Sequence, residues 1–79
     1  MHFYRWETEK RYYEALALQD LWGQWVVIQR WGGKHNRRGS MRSIPVAYDE
    51  LDTFIAQIDR VRRKHGYFKH FYREASTLK

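Results

Sequence analysis

The run Trp25-Val26-Val27-Ile28-Gln29-Arg30-Trp31 constrains this chain most. Its β-branched centre, bracketed by tryptophans, has the composition of a strand. A continuous apolar run marks a strand buried on both faces or central in its sheet. Asp20-Leu21-Trp22-Gly23 precedes it as a tight connection, and Gly32-Gly33 ends it. A third tryptophan, Trp22, thus falls within the same ten residues as Trp25 and Trp31. An indole beside a flexible cationic loop can stack on a base or sugar while the cations hold phosphate.

Strands flank this run on both sides. Phe3-Tyr4-Arg5-Trp6 reads as a short edge strand, with Trp6 covering the sheet edge. Between Arg11 and Gln19, strand and helix compete, because Glu, Ala and Leu are good helix formers. The Tyr12-Tyr13 pair and the turn after the run favour strand. Met41 to Val46 forms a further strand, ended by Pro45, which cannot donate to a ladder. Tyr48 to His65 reads as a helix. Leu51, Phe54, Ile55, Ile58 and Val61 share one face at 3.6 residues per turn. Acidic Asp49, Glu50 and Asp52 begin it and basic Arg62, Arg63, Lys64 and His65 end it, as the helix dipole favours. Val46 and Ala47 offer no capping side chain, and Gly66 suits a left-handed stop. Tyr67, Phe68, Phe71 and Tyr72 form a tail that pairs as a short strand or packs as an extended segment. Residues 75–79 are expected to fray. The whole is an α+β fold: a small antiparallel sheet of about four or five strands with one amphipathic helix on it.

With 79 residues there is material for one domain, taken as 1–79 with its core over 3–67 and an aromatic tail over 68–79. So small a domain buries only about 60–65% of the surface its unfolded chain exposes. Its four Trp, six Tyr and four Phe must therefore supply the core, and Trp22 and Trp25 are assigned to core or turn packing. There is no cysteine, hence no disulfide framework and no thiolate zinc site. Neither an apolar membrane span nor a secretory leader is recognisable, so a soluble, cytoplasmic protein is expected.

The net charge of +6 favours a polyanionic partner, nucleic acid before others. Its distribution narrows the choice. Residues 30–42 carry Arg30, Lys34, Arg37, Arg38 and Arg42 without an acid, on a loop containing three glycines. These are the candidate phosphate contacts, with Trp31 and Gly32 at the strand exit as the stacking site. Arg60, Arg62, Arg63 and Lys64 could extend the footprint, although cations also simply suit a helix C-terminus. Arg62 borders the apolar stripe and can snorkel from it. For Trp31 the plain alternative is a core tryptophan; its place before Gly32-Gly33 favours partial exposure. His35, His65 and His70 lack the spacing of a metal site, so no cofactor is expected. Ser40 and Ser43 have no acid close by to complete a triad, and no phosphate-cradling glycine pattern is present, so no enzyme is expected.

The order of Tyr12-Tyr13, Asp20-Leu21-Trp22-Gly23, Trp25-Val26-Val27, Arg30-Trp31-Gly32, Gly39 and a helix ending Lys64-His65-Gly66-Tyr67 resembles a WGR domain. Such domains occur in DNA-break-sensing poly(ADP-ribose) polymerases and as short stand-alone bacterial proteins. The resemblance covers about residues 3–67. It implies a helix packed across an antiparallel sheet, and binding of DNA ends by the signature Trp, which falls on Trp31, with the signature Gly on Gly32. Gly33 stands where the signature Arg would be, so the interdomain role of that Arg is not carried over. Some bacterial members are similar in pairing Trp-Gly-Gly with an Arg-Arg-Gly turn, as in Arg37-Arg38-Gly39. The resulting expectation is a nucleic-acid-binding module, for DNA ends or nicks before RNA. The rival is a protein-interaction adaptor, or a module that pairs with itself through a sheet edge and aromatic surface. Neither a membrane nor a small-molecule substrate is expected.

Overall fold

The computed structural model describes residues 1–35 and 39–74, with side chains over 1–35 and 39–68. Its five strands are β1 (His2–Glu7), β2 (Arg11–Gln19), β3 (Trp25–Gly33), β4 (Gly39–Pro45) and β5 (Phe68–Glu74). One turn of 3-10 helix (Tyr48–Glu50) leads into helix α1 (Leu51–Lys64) between β4 and β5. The sheet order is β4-β3-β2-β1-β5, and every pairing is antiparallel. The first four strands form a meander. Helix α1 then carries the chain from the β4 edge to the far edge, where β5 pairs with β1.

Of the two alternatives for the aromatic tail, the strand from Phe68 is the one formed, and it corrects the expected place of β1, which is interior instead of an edge. Trp6 covers no edge. It is fully buried, and its indole N–H donates to Asp59 on α1 at 2.8 Å. A buried indole needs such a partner, since an unsatisfied N–H costs about 1–3 kcal/mol.

Side chains alternate across a strand, and directly paired residues share a face. One face therefore carries Tyr4 and Trp6 from β1, Tyr13, Ala15 and Ala17 from β2, and Val27, Gln29 and Trp31 from β3. Helix α1 packs here through Leu51, Ile55 and Ile58. Fully buried Ala15 and Ala17 leave room for the helix at the middle of the sheet. The predicted helical stripe holds in its first three turns. Val61 departs from it, being 41% exposed. The expected lack of an N-terminal cap is confirmed: Ala47, before the 3-10 turn, and Glu50, before α1, make no capping bond through their side chains.

Three turns set the register. Asp20 Oδ1 accepts the backbone N–H groups of Trp22 and Gln24, each at 2.9 Å, and Gly23 takes a φ of 83°. This fixes the β2–β3 hairpin but leaves Trp22 88% exposed, so Trp22 does not join the core. Thr8 Oγ1 accepts from Arg11 N at 2.9 Å to close the β1–β2 turn. At the helix end, Tyr67 N donates to Arg62 O and Gly66 N to Arg63 O, with Gly66 at φ 87°. These are the two bonds of a left-handed helix stop, which the sequence placed at Gly66.

Candidate nucleic-acid interface

Trp31 sits one row from the end of the sheet, opposite Tyr13 on β2 and Ser40 on β4. Its side chain is half-buried, and the ring stacks on Tyr13 with centroids 5.7 Å apart and planes 14° apart. Tyr13 meets the buried Trp6 edge-on at 6.0 Å. Trp31 is thus the outermost ring of a chain of aromatics that begins in the core. A ring braced in this way keeps its orientation, so less entropy is lost when a ligand stacks on it.

The same face supplies two cations. Arg62 of α1 lays its guanidinium over Tyr13 at 4.4 Å and over Tyr67 at 5.1 Å. The helix stop presents Tyr67 there, and the cation–π contacts hold Arg62 in place. Arg42 of β4, exposed, donates to the amide oxygen of buried Gln29 at 3.4 Å. Among the described residues neither arginine has a carboxylate within ion-pair distance. Both act on Tyr13. Burial pushes its phenol above the usual tyrosine range, against the opposing pull of Arg62 and Arg42. Beside Arg62 opens a concavity of about 540 Å³, lined also by Thr8, Glu9, Lys10, Arg11, His65 and Tyr67.

The other predicted contacts lie elsewhere. Arg30 points to the opposite face, where its guanidinium is 3.8 Å from Glu14 and 59% exposed. Lys34 is bound to Glu7 at 2.6 Å. Gly32 also belongs to the opposite face, between Tyr12 and Gly39. Here glycine has a packing role: a Cβ on Gly39 would come within 3.1 Å of both the Tyr12 hydroxyl and the Trp31 carbonyl. Arg37 and Arg38 lie outside the described residues. Of the proposed extension, Arg63 is held by Asp59 at 2.9 Å, and Arg60 and Lys64 are exposed on the helix. The structure thus gathers Trp31, Arg42 and Arg62, and separates Arg30, Gly32 and Lys34 from them.

Sequence reasoning missed Tyr13, Lys10, Arg11 and His65. The Tyr12-Tyr13 pair was visible, but which ring meets Trp31 depends on the hairpin register. That register follows from the Asp20 turn. Among the described residues no cluster of three metal-ligating side chains occurs, and no helix is long and apolar enough to cross a membrane. The chain matches no family model, no curated protein and no solved structure at a significant level.

Proposed function

We propose that this protein is a nucleic-acid-binding module of WGR-like type that engages DNA at ends or nicks. The observation that carries the reading is the half-buried Trp31, braced by Tyr13, with Arg42 and Arg62 on the same face and, among the described residues, no carboxylate paired with either. At an end or nick an outermost base or sugar is free to stack, and stacking on an aromatic is worth about 1–3 kcal/mol per base. Arg42 and Arg62 meet the adjoining phosphates, and Arg37 and Arg38 are further candidates from the sequence. Arg30 and Lys34, already facing carboxylates, contribute less. If four arginines each neutralise a phosphate, log K falls against log salt with a slope near about −3.6. The reading includes no base-specific contact and no catalytic step.

Titration of blunt, nicked and closed circular duplexes tests it. Trp31→Ala should weaken binding to the blunt and nicked forms by about 5- to 150-fold, the range of one lost stacking contact, and hardly alter the circular form. An equal loss on all three would contradict end recognition. Absence of binding at low salt would leave the adaptor reading in its place. That second reading draws on the uncovered face of the sheet.

A further inference from the structure

The face of the sheet away from α1 is the least explained surface of the molecule. The register places Phe3, Arg5 and Glu7 of β1, Tyr12, Glu14, Leu16 and Leu18 of β2, Val26, Ile28 and Arg30 of β3, and Met41, Ser43 and Pro45 of β4 on it. Among the described residues no helix packs against this side; α1 lies on the other. A sheet face left to solvent normally alternates to polar residues. Here that rule holds for only half of the face. Toward the β1–β2 turn the side chains are charged. Toward the β2–β3 hairpin Phe3, Leu16, Leu18, Val26 and Ile28 form an apolar field. Beyond it, the hairpin tip holds out Leu21 and Trp22, 95% and 88% exposed.

The charged half is close to neutral. Its described cations, Arg5 and Arg30 on the strands and Lys34 at the rim, share two carboxylates, Glu7 and Glu14, and so leave one of the chain's six excess charges here. Arg5 bonds to both Glu7 and Glu14, and Arg30 approaches Glu14. This neutrality decides which occupant fits. Two copies of a chain with net charge +6 repel over most of their surfaces. They can meet only where charge cancels, and this face is such a place. An acidic partner would be drawn instead to the face of Arg42 and Arg62.

The area is adequate. Four strands about 4.8 Å apart and about 25 Å long present on the order of 500 Å² in projection. Trp22 adds about 150–250 Å². With the whole faces apposed the total approaches the roughly 800 Å² per partner of a standard interface, and the apolar half with Trp22 supplies about half of it.

We infer that this protein pairs with a second copy of itself, the two uncovered sheet faces packing apolar half to apolar half with Trp22 of each hairpin tip as an anchor. The pair is a two-fold sandwich with both helices outside. The hairpin tip is fixed by Asp20 before the partner arrives, so Trp22 loses little freedom on docking. The inference is independent of nucleic-acid binding, but it leaves two Trp31 surfaces facing outward.

Sedimentation of the nuclease-treated full chain across the micromolar range tests it. The expected mass is twice the 9.8 kDa of one chain, persisting in high salt because the contact is apolar. Ile28→Glu should give a monomer with an unchanged far-ultraviolet spectrum. Trp22→Ala, at an exposed site that cannot unfold the core, should raise the dissociation constant about tenfold or more. A wild-type chain that stays monomeric, or associates only with a different protein, overturns the inference. So does a dimer indifferent to Trp22→Ala, or to Ile28→Glu where that variant folds.

Discussion

The two faces of the sheet dispose of positive charge in opposite ways. On the uncovered face Arg5 is locked to Glu7 and Glu14, Arg30 leans on Glu14, and Lys34 at the rim is bound to Glu7. For Arg5, burial lowers the pKa, but the hydrogen bonds and charges of Glu7 and Glu14 outweigh it and leave the value raised. On the helix side Arg42 and Arg62 lean on an amide and on aromatic rings. A cation–π partner fixes a guanidinium without cancelling its charge. The difference teaches that a run of cations in sequence does not locate a binding site. Strand alternation sends neighbours in the run to opposite faces, and the carboxylates of β1 and β2, Glu7 and Glu14, lie on only one of them.

The strongest way to sharpen the contrast lies in the tryptophans. Trp6→Ala removes a fully buried ring and its bond to Asp59, and should cost about 3–5 kcal/mol in denaturant unfolding. Trp22→Ala, at the exposed tip, should stay within about 0.5 kcal/mol when measured on the monomer. Similar losses at the two sites would contradict the assignment of faces.

Next comes the helix stop that presents Tyr67 to Arg62. Gly66 holds φ 87° in open space, so Gly66→Ala meets no clash but pays a left-handed backbone of about 1–2 kcal/mol. Thermal melting checks this, and a neutral result would deny the strain.

Tyr13 supplies a pH test of the covered face. Its pKa in the fold is raised above the model-peptide 10.0, chiefly by burial, so the folded state favours the neutral phenol. The associated stability is fully present below pH 10.0 and is lost as pH rises through the higher folded value. Tyr13→Phe should flatten that part of the alkaline stability curve. An unchanged slope in the variant would place the titration elsewhere.

The smallest effect concerns the uncovered face. Glu14→Gln releases Arg5 and Arg30 from a shared carboxylate. It should change stability by about 1 kcal/mol or less, since the cations are partly solvated. It should leave the salt dependence of DNA binding nearly unchanged, because these cations face away from Trp31 and Arg42. A slope steeper by about one unit would place this face against the polyanion.

Much of the fold was legible because it rests on local rules. The β2–β3 hairpin follows from Asp20 and Gly23, the helix from its stripe, and its end from Gly66. The placement of β1 was not legible, because it depends on β5 returning across the sheet to pair with residues more than sixty positions away. Trp6 and Trp22 were misassigned for a related reason, whereas Trp25 packs against the core as expected. Composition says that a small domain must bury large rings but not which ones. Trp6 is buried because β1 is interior, and Trp22 is exposed because a two-sided turn offers it no core. At the candidate site, Trp31 was found from the strand exit. Its separation from Arg30 and Gly32 is simply the period of a strand, but identifying the covered face required the helix. The position of Arg62 beside the apolar stripe did foreshadow its snorkelling over Tyr13 and Tyr67.

The most direct test of the central claim uses two arginines that are alike in charge and exposure but lie on opposite faces of adjacent strands. Arg42→Gln and Arg30→Gln should be compared in titrations of a blunt duplex over a range of salt. The account predicts that Arg42→Gln weakens binding and reduces the salt slope by about 0.9, while Arg30→Gln leaves the slope nearly unchanged. Equal reductions, or a larger one from Arg30→Gln, would contradict it.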